Sequence, residues 1–153
     1  MLAGGVPSER RVSVAVDVAS DRVRSALGAE RVREIVRKVC RREKIAEALI
    51  SVTFVGNRQI ARMNRDFLGH SGPTDVITFA LEPSAGAVMG DVYIAVDVAR
   101  DNARRHGVGV REELVRLVVH GTLHVLGHLH AEDEQRETGE MWRKQERLVA
   151  TLV

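Results

Sequence analysis

A chain of 153 residues, 44% hydrophobic and 29% charged, is long enough to bury a core and has the composition of one soluble globular domain. It contains no apolar run near the roughly 18 residues of a membrane span and no signal-peptide core, so we expect a cytoplasmic protein. The single cysteine, Cys40, cannot form an internal disulfide and is expected in the core.

The hydrophobic pattern predicts nine elements in the order strand, helix, strand, helix, strand, strand, helix, helix, helix. After a flexible leader at 1–10, we predict strands at 11–17, 50–54, 75–80 and 90–96, and helices at 30–43, from the Asn57 cap onward, 97–106, 111–126 and 133–148. This order indicates an α+β fold in which residues 11–153 form a single domain, with a small mixed β-sheet packed against helices.

Two of these helices carry specific expectations. The short helix after Asn57 should direct Ile60, Met63 and Phe67 inward, because they follow helical spacing. The helix at 111–126 is apolar on most sides, so it should be central and buried. Gly127 follows it and suits the left-handed position that ends a helix.

The central helix also carries the most informative motif, in which His120 and His124 lie one turn apart on one face. Gly127 allows the chain to turn back, and His130 follows three residues later. This spacing is typical of three-histidine zinc sites with one coordination position left open, as in zincin-like folds. A metalloprotease carries a glutamate base after the first histidine, whereas this chain has Gly121.

Other polar residues leave the assignment of roles open. His128 could compete with His130 as the third ligand or point toward a substrate. The catalytic base is not identifiable from the sequence, and His128 and Asp75 are weak candidates beside a metal-activated water. His70 and His106 fall in predicted loops and are expected at the surface.

The stretch from Asp21 to Lys44 contains nine lysines and arginines against four acids. Such a basic face could hold phosphates, or it could be a solvated helix face. Because the chain has one Trp, one Tyr and three Phe, any binding of nucleic acid should depend on the backbone more than on base stacking.

Three blocks of the sequence, in order, resemble the YbeY family of metal-dependent endoribonucleases. The family motif H-G-x-L-H-L-x-G-Y-D-H is similar to residues 120–130. The motif L-N-x-x-Y-R with P-T-D-V-L-S-F resembles residues 63–68 and 73–79, and L-G-D-I-x-I resembles residues 89–94.

The resemblance implies one Zn²⁺ ion held by His120, His124 and His130 in a single α+β domain. It also implies cleavage of single-stranded RNA, with a role in maturation of the 3′ end of small-subunit ribosomal RNA and in ribosome quality control. The implied partners are an rRNA precursor and the small ribosomal subunit, with no membrane.

The chain departs from the family pattern at three positions. Leu68 replaces the arginine of the second block, and His128 and Leu129 replace the tyrosine and aspartate before the third histidine. Leucine cannot contact phosphate or stabilise developing charge as arginine does. Two rival functions therefore stay open, a different small metallohydrolase such as a peptidase or amidase, and a non-catalytic, zinc-stabilised ribosome assembly factor that binds RNA.

Overall fold

The computed structural model describes residues 13–81, 86–128 and 139–153, which form one α+β domain. The strands are β1 (Ser13–Ser20), β2 (Glu47–Val55), β3 (Val76–Leu81) and β4 (Val88–Ala95). The helices are α1 (Ala29–Arg42), α2 (Asn57–Leu68), α3 (Val96–His106), α4 (Val110–Val125) and α5 (Glu140–Leu152). The predicted order of elements is confirmed. The leader at 1–10 and the predicted start of the last helix, before residue 139, lie outside the described residues.

The four strands form one mixed sheet in the order β1-β2-β4-β3. Strands β1, β2 and β4 are parallel, and β3 pairs antiparallel with β4 at one edge. The hairpin from β3 to β4 therefore inserts β4 beside β2 and leaves β3 as an edge strand.

Helix α4 is central, as its apolar pattern predicted. It packs against α1, α3 and α5 and against strands β3 and β4. Its buried residues include Leu117, Val118 and Leu123, which join the main core formed by α1 and one face of the sheet. Cys40 is fully buried in this core, and burial raises the pKa of its thiol to about 11.

Two glycines allow α4 to approach the sheet closely. A Cβ atom on Gly121 would lie 2.5 Å from Val92 Cγ1, and one on Gly90 would lie 2.5 Å from Val125 Cγ1. Real Cβ atoms do not come this close to other atoms, and Val92 is fully buried and cannot move aside. The absence of a side chain at position 121 therefore allows α4 to pack directly against β4.

Helix α2 covers part of the opposite face of the sheet, where Ile60 and Met63 contact a smaller apolar cluster. The prediction that Phe67 points inward is wrong, because its side chain is 65% exposed. The last turn of α2 extends past the surface that would bury it, so Phe67 only touches Phe79 edge to face, with ring centroids 5.2 Å apart. The predicted Asn57 cap is also wrong, because Gly56 is the N-cap and Asn57 is the first helical residue.

Two further findings bear on the surface of the molecule. His70 and His106 are both exposed as expected, although His106 is the last residue of α3 and does not lie in a loop. No helix within the described ranges combines the length and the hydropathy that crossing a bilayer requires.

Candidate metal centre

Helix α4 brings His120 and His124 together near its C-terminal end. Their rings lie edge to face, with centroids 4.6 Å apart and an interplanar angle of 72°. His120 is buried, at 3% exposure, whereas His124 is partly exposed. The two imidazoles therefore form a pair with one buried and one accessible member, which suits a site that a substrate must reach.

Gln145 on α5 determines which nitrogen of His120 carries the proton. Its Oε1 lies 2.6 Å from His120 Nδ1, and its Nε2 donates to Glu146 Oε2 at 3.0 Å. A carboxylate only accepts, so the amide nitrogen of Gln145 must face Glu146 and the amide oxygen must face the imidazole. Nδ1 of His120 is then protonated, and the lone pair of Nε2 is available to a metal ion.

Glu146 is itself held in place by a bidentate ion pair. Arg116 Nε and Nη2 donate to its two oxygens, each at 2.9 Å. Arg116 also donates to Glu113 at 3.2 Å, and its hydrogen bonds to Glu146 raise the pKa of the Arg116 guanidinium. Burial raises the pKa of Glu113, against the opposing effect of Arg116. A connected set of hydrogen bonds thus fixes the orientation of Gln145 and, through it, of His120.

Helix α4 ends where the sequence predicted, just before Gly127. Leu126 is the C-cap, and Gly127 follows with a φ of 101°, in the left-handed region that favours glycine. His130 and Leu129 lie outside the described residues. Within 13–81, 86–128 and 139–153, no three His, Cys, Asp or Glu side chains form a metal-binding cluster. The two described histidines fit zinc in their adjacency and in the tautomer of His120, and the third ligand stays a prediction.

His128 points toward α1. Its Nε2 is within hydrogen-bonding distance of Glu43 Oε1, which also accepts from Lys144 Nζ at 3.1 Å. Burial raises the pKa of Glu43, but the hydrogen bonds from Lys144 and His128 together lower it below its usual value. A role for His128 as ligand or base would require its imidazole to leave this carboxylate.

Asp75 lies just before β3 and is buried. Its Oδ2 accepts from Asn102 Nδ2 at 3.1 Å, and its backbone carbonyl accepts from Ala95 N at 2.9 Å. The side chain lines a cavity of about 180 Å³ that Gln145 and Trp142 also line. Asp75 is therefore placed near the hydrogen-bonded set behind His120, and its catalytic role stays a prediction.

Four of the nine lysines and arginines in the basic face predicted for residues 22–44 contact neighbouring groups. Arg31 donates to the carbonyl of Leu152 and pairs with Glu34, and Arg33 pairs with Glu30. Three further contacts join α1 to neighbouring backbone, from Arg33 Nε to Val16 O, from Arg37 Nε to Val14 O, and from Lys38 Nζ to Thr151 O. Much of this positive charge thus attaches α1 to β1 and α5.

A family model described as Endoribonuclease YbeY matches residues 17–153. The chain belongs to the YbeY family. A curated Endoribonuclease YbeY from Syntrophus aciditrophicus is 33% identical over 147 residues, which cover 93% of this chain and 92% of that protein. Another from Chlorobaculum tepidum is 43% identical over 104 residues, which cover 68% of this chain and 73% of that protein.

A solved structure agrees with this assignment. The solution structure of TM1509 from Thermotoga maritima is 27% identical in sequence and matches with a TM-score of 0.60, over 90% of this chain and 88% of that chain. The resemblance to the YbeY family drawn from three sequence blocks is therefore confirmed, and so is the α+β fold class.

Sequence reasoning missed Gln145 as part of the site. Gln145 shares one side of α5 with Met141 and Leu148, and it is buried at 1% exposure. A glutamine on an apolar stripe needs a buried partner for each of its polar groups. That requirement was the available signal, but the partner could not be named without the packing of α5 on α4.

Proposed function

We propose that this member of the YbeY family is a zinc-dependent endoribonuclease that cleaves single-stranded RNA. Zinc would be held by His120, His124 and His130. The observation that carries the proposal is the His120–Gln145 hydrogen bond, because it prepares one nitrogen for a metal in a chain whose family relatives are named endoribonucleases.

The residues of this chain have distinct tasks in that reaction. Gln145 keeps a proton on Nδ1 of His120, and Gly127 turns the chain so that His130 can follow. A bound zinc ion supplies Lewis acidity toward a phosphoryl oxygen and toward water. His124, which is partly exposed, lies on the side of the pair that RNA can approach.

A peptidase activity fits this fold poorly. The glutamate base of metalloproteases would have to occupy position 121, where even a Cβ atom would lie 2.5 Å from Val92 Cγ1. The structure thus gives a physical reason for the glycine that the family motif carries at this position.

A second candidate function is non-catalytic RNA binding during ribosome assembly. It is favoured by Leu68, which is 48% exposed at the end of α2 where the family pattern has arginine. A leucine there offers no charge to a scissile phosphate. Loss of cleavage with retention of RNA binding would support this alternative.

One experiment separates these functions. Metal-loaded protein is incubated with labelled single-stranded RNA and, separately, with casein, beside a His124→Ala variant as the control. We expect the wild type alone to cut RNA and neither protein to cut casein. Intact RNA, or equal cutting by His124→Ala, would show that the nuclease proposal is wrong.

Metal content provides a test of the site itself. We expect about one equivalent of zinc per chain in protein that has not been exposed to a chelator, and under half an equivalent in His124→Ala. Wild-type protein with less than about half an equivalent would contradict the proposed metal centre.

We also propose that the RNA is a precursor of small-subunit ribosomal RNA and that the small subunit is a partner, in 3′-end maturation and in quality control. The support is membership of the family. Cells lacking the protein should accumulate small-subunit rRNA with an unprocessed 3′ end, and plasmid-borne wild type but not His124→Ala should restore processing. Normal 3′ ends in such cells would contradict this role.

A further inference from the structure

Helix α2 carries a row of arginines that differ in their surroundings from those of α1. Arg58, Arg62 and Arg65 follow at intervals of four and three residues, so they share one face, and all three are exposed. Arg65 pairs with its neighbour Asp66, and both side chains are at least half exposed. Among the described residues, no carboxylate lies within 4.0 Å of a nitrogen of Arg58 or Arg62.

The same arginines line two adjoining depressions. One, of about 490 Å³, lies between α2 and the end of β1 and is lined by Arg22, Arg58, Arg62 and four further residues. The other, of about 470 Å³, lies along α2 and is lined by Arg58, Arg62, Arg65 and the loop at Ser71 and Gly72. Asp21 is the single carboxylate among the lining residues. We call this surface the α2 groove.

We propose that the α2 groove binds the phosphate backbone of the single-stranded RNA that the proposed nuclease cuts. Side chains four residues apart on a helix are separated by about 6 Å along its axis, so Arg58 and Arg62 can contact neighbouring phosphates. Arginines without a carboxylate partner contribute most to RNA affinity, because no ion pair has to break when they bind. Each phosphate that they neutralise also releases counterions from the RNA.

The shape and charge of the groove favour a nucleic-acid strand over a membrane surface. The groove is concave, whereas a bilayer needs a convex or flat face. Its lining has four arginines and one carboxylate, which suits a chain of phosphates.

The groove and the candidate metal centre lie on opposite faces of the sheet. The Phe67–Phe79 contact places the end of α2 over β3, the edge strand. Helix α4 packs against β3 on the other face, and a Cβ on Gly121, next to His120, would lie 3.5 Å from Thr78 of that strand. RNA bound along α2 would therefore pass around the β3 edge to reach the histidines.

The test compares two double variants that each remove two arginines spaced four residues apart. Arg58→Gln/Arg62→Gln alters the groove. Arg100→Gln/Arg104→Gln on α3 removes the same charge from arginines that already pair with Asp97 and Asp101, at 3.4 and 3.8 Å. Binding of a fluorescent single-stranded RNA of roughly 16 nucleotides is measured by anisotropy, in EDTA so that no cutting occurs, from roughly 50 to 200 mM salt.

For the groove variant, we expect the slope of log K against log salt to fall by about 1.4, at about 0.7 per lost phosphate contact. That corresponds to roughly 25-fold weaker binding near 0.1 M salt. The α3 variant should keep the wild-type slope.

Each other outcome contradicts the proposal. An unchanged slope in Arg58→Gln/Arg62→Gln, or an equal fall in the α3 variant, would show that the groove is not the site. If Arg58→Gln/Arg62→Gln loses more affinity for phosphatidylglycerol vesicles than for RNA, the groove binds a membrane instead. This proposal rests on the proposed function, but wild type that binds RNA through the groove without cutting it would refute only the nuclease activity.

Discussion

Replacing Gln145 with leucine should weaken zinc binding without removing a metal ligand. The change deletes the acceptor that lies 2.6 Å from His120 Nδ1, at a position that is 1% exposed. Without that acceptor, the imidazole gains freedom to carry its proton on Nε2, the nitrogen a metal needs. Loss of such a partner typically costs 10- to 100-fold in metal affinity, or about 1.4–2.7 kcal/mol.

Competition with a chromophoric chelator measures the zinc affinity, and ¹⁵N NMR of the metal-free protein reports the tautomer of His120. Gln145→Glu is the conservative variant, since a carboxylate keeps an acceptor toward Nδ1, and we expect it to bind zinc nearly as tightly as wild type. Arg147→Gln, on an exposed position of the same helix, controls for general effects of changing α5.

Two results would refute the reasoning. If Gln145→Leu binds zinc as tightly as Arg147→Gln does, the hydrogen bond does not support the ligand. If Gln145→Glu loses as much affinity as Gln145→Leu while its His120 keeps a proton on Nδ1, the effect comes from packing and not from the acceptor. Urea unfolding of each variant verifies that the fold is retained.

Three other predictions concern stability, measured by urea unfolding. Gly121→Ala should cost about 1 kcal/mol, because about 1–3 kcal/mol of overpacking against Val92 exceeds the roughly 1 kcal/mol gained in helix propensity. Combining it with Val92→Ala should cost at least about 0.5 kcal/mol less than the two single changes summed, and strict additivity would contradict the close contact. The thiol of Cys40, whose pKa rises from 9.0 to about 11, contributes stability that is complete below pH 9 and lost as the pH approaches 11. Relative to Cys40→Ala, the unfolding free energy of wild type should thus fall by about 3 kcal/mol over that range, at about 1.36 kcal/mol per pH unit. A difference that stays constant with pH would contradict the raised pKa. Glu43 has a lowered pKa, so its stabilising effect is present above its unfolded pKa and is lost as the pH falls through the folded value. The advantage of wild type over Glu43→Gln should accordingly be seen at pH 7 and vanish in acid, and a gap that survives at low pH would refute the role of the ionised carboxylate.

The sequence predicted the order of elements well because most of them bury one continuous face. In α1 the spacing of Val32, Val36 and Val39 identified a stripe that is fully buried. Phe67 was misplaced because spacing identifies a helix face but not how far the partner surface extends. Phe67 shares the buried face of α2 but is 65% exposed, and only the packed structure shows this.

The candidate site was predictable to the extent that it is local. The spacing of His120 and His124 is a property of one helix, and their rings do lie together. Gln145 comes from 25 residues later in the chain, so its contact depends on how α5 packs. The arginines show the same limit, because composition pointed to residues 22–44, whereas pairing leaves Arg58 and Arg62 available.

The close seating of α4 on β4 also restricts how this protein can evolve. Zinc peptidases with paired histidines one helical turn apart carry their base as a glutamate beside the first histidine. Here that single substitution would collide with Val92, so the helix would first have to lift from the sheet. Lifting it would displace the same histidines that the new base would serve. A route from this fold to peptide hydrolysis would therefore disturb the proposed metal centre before the new base could act.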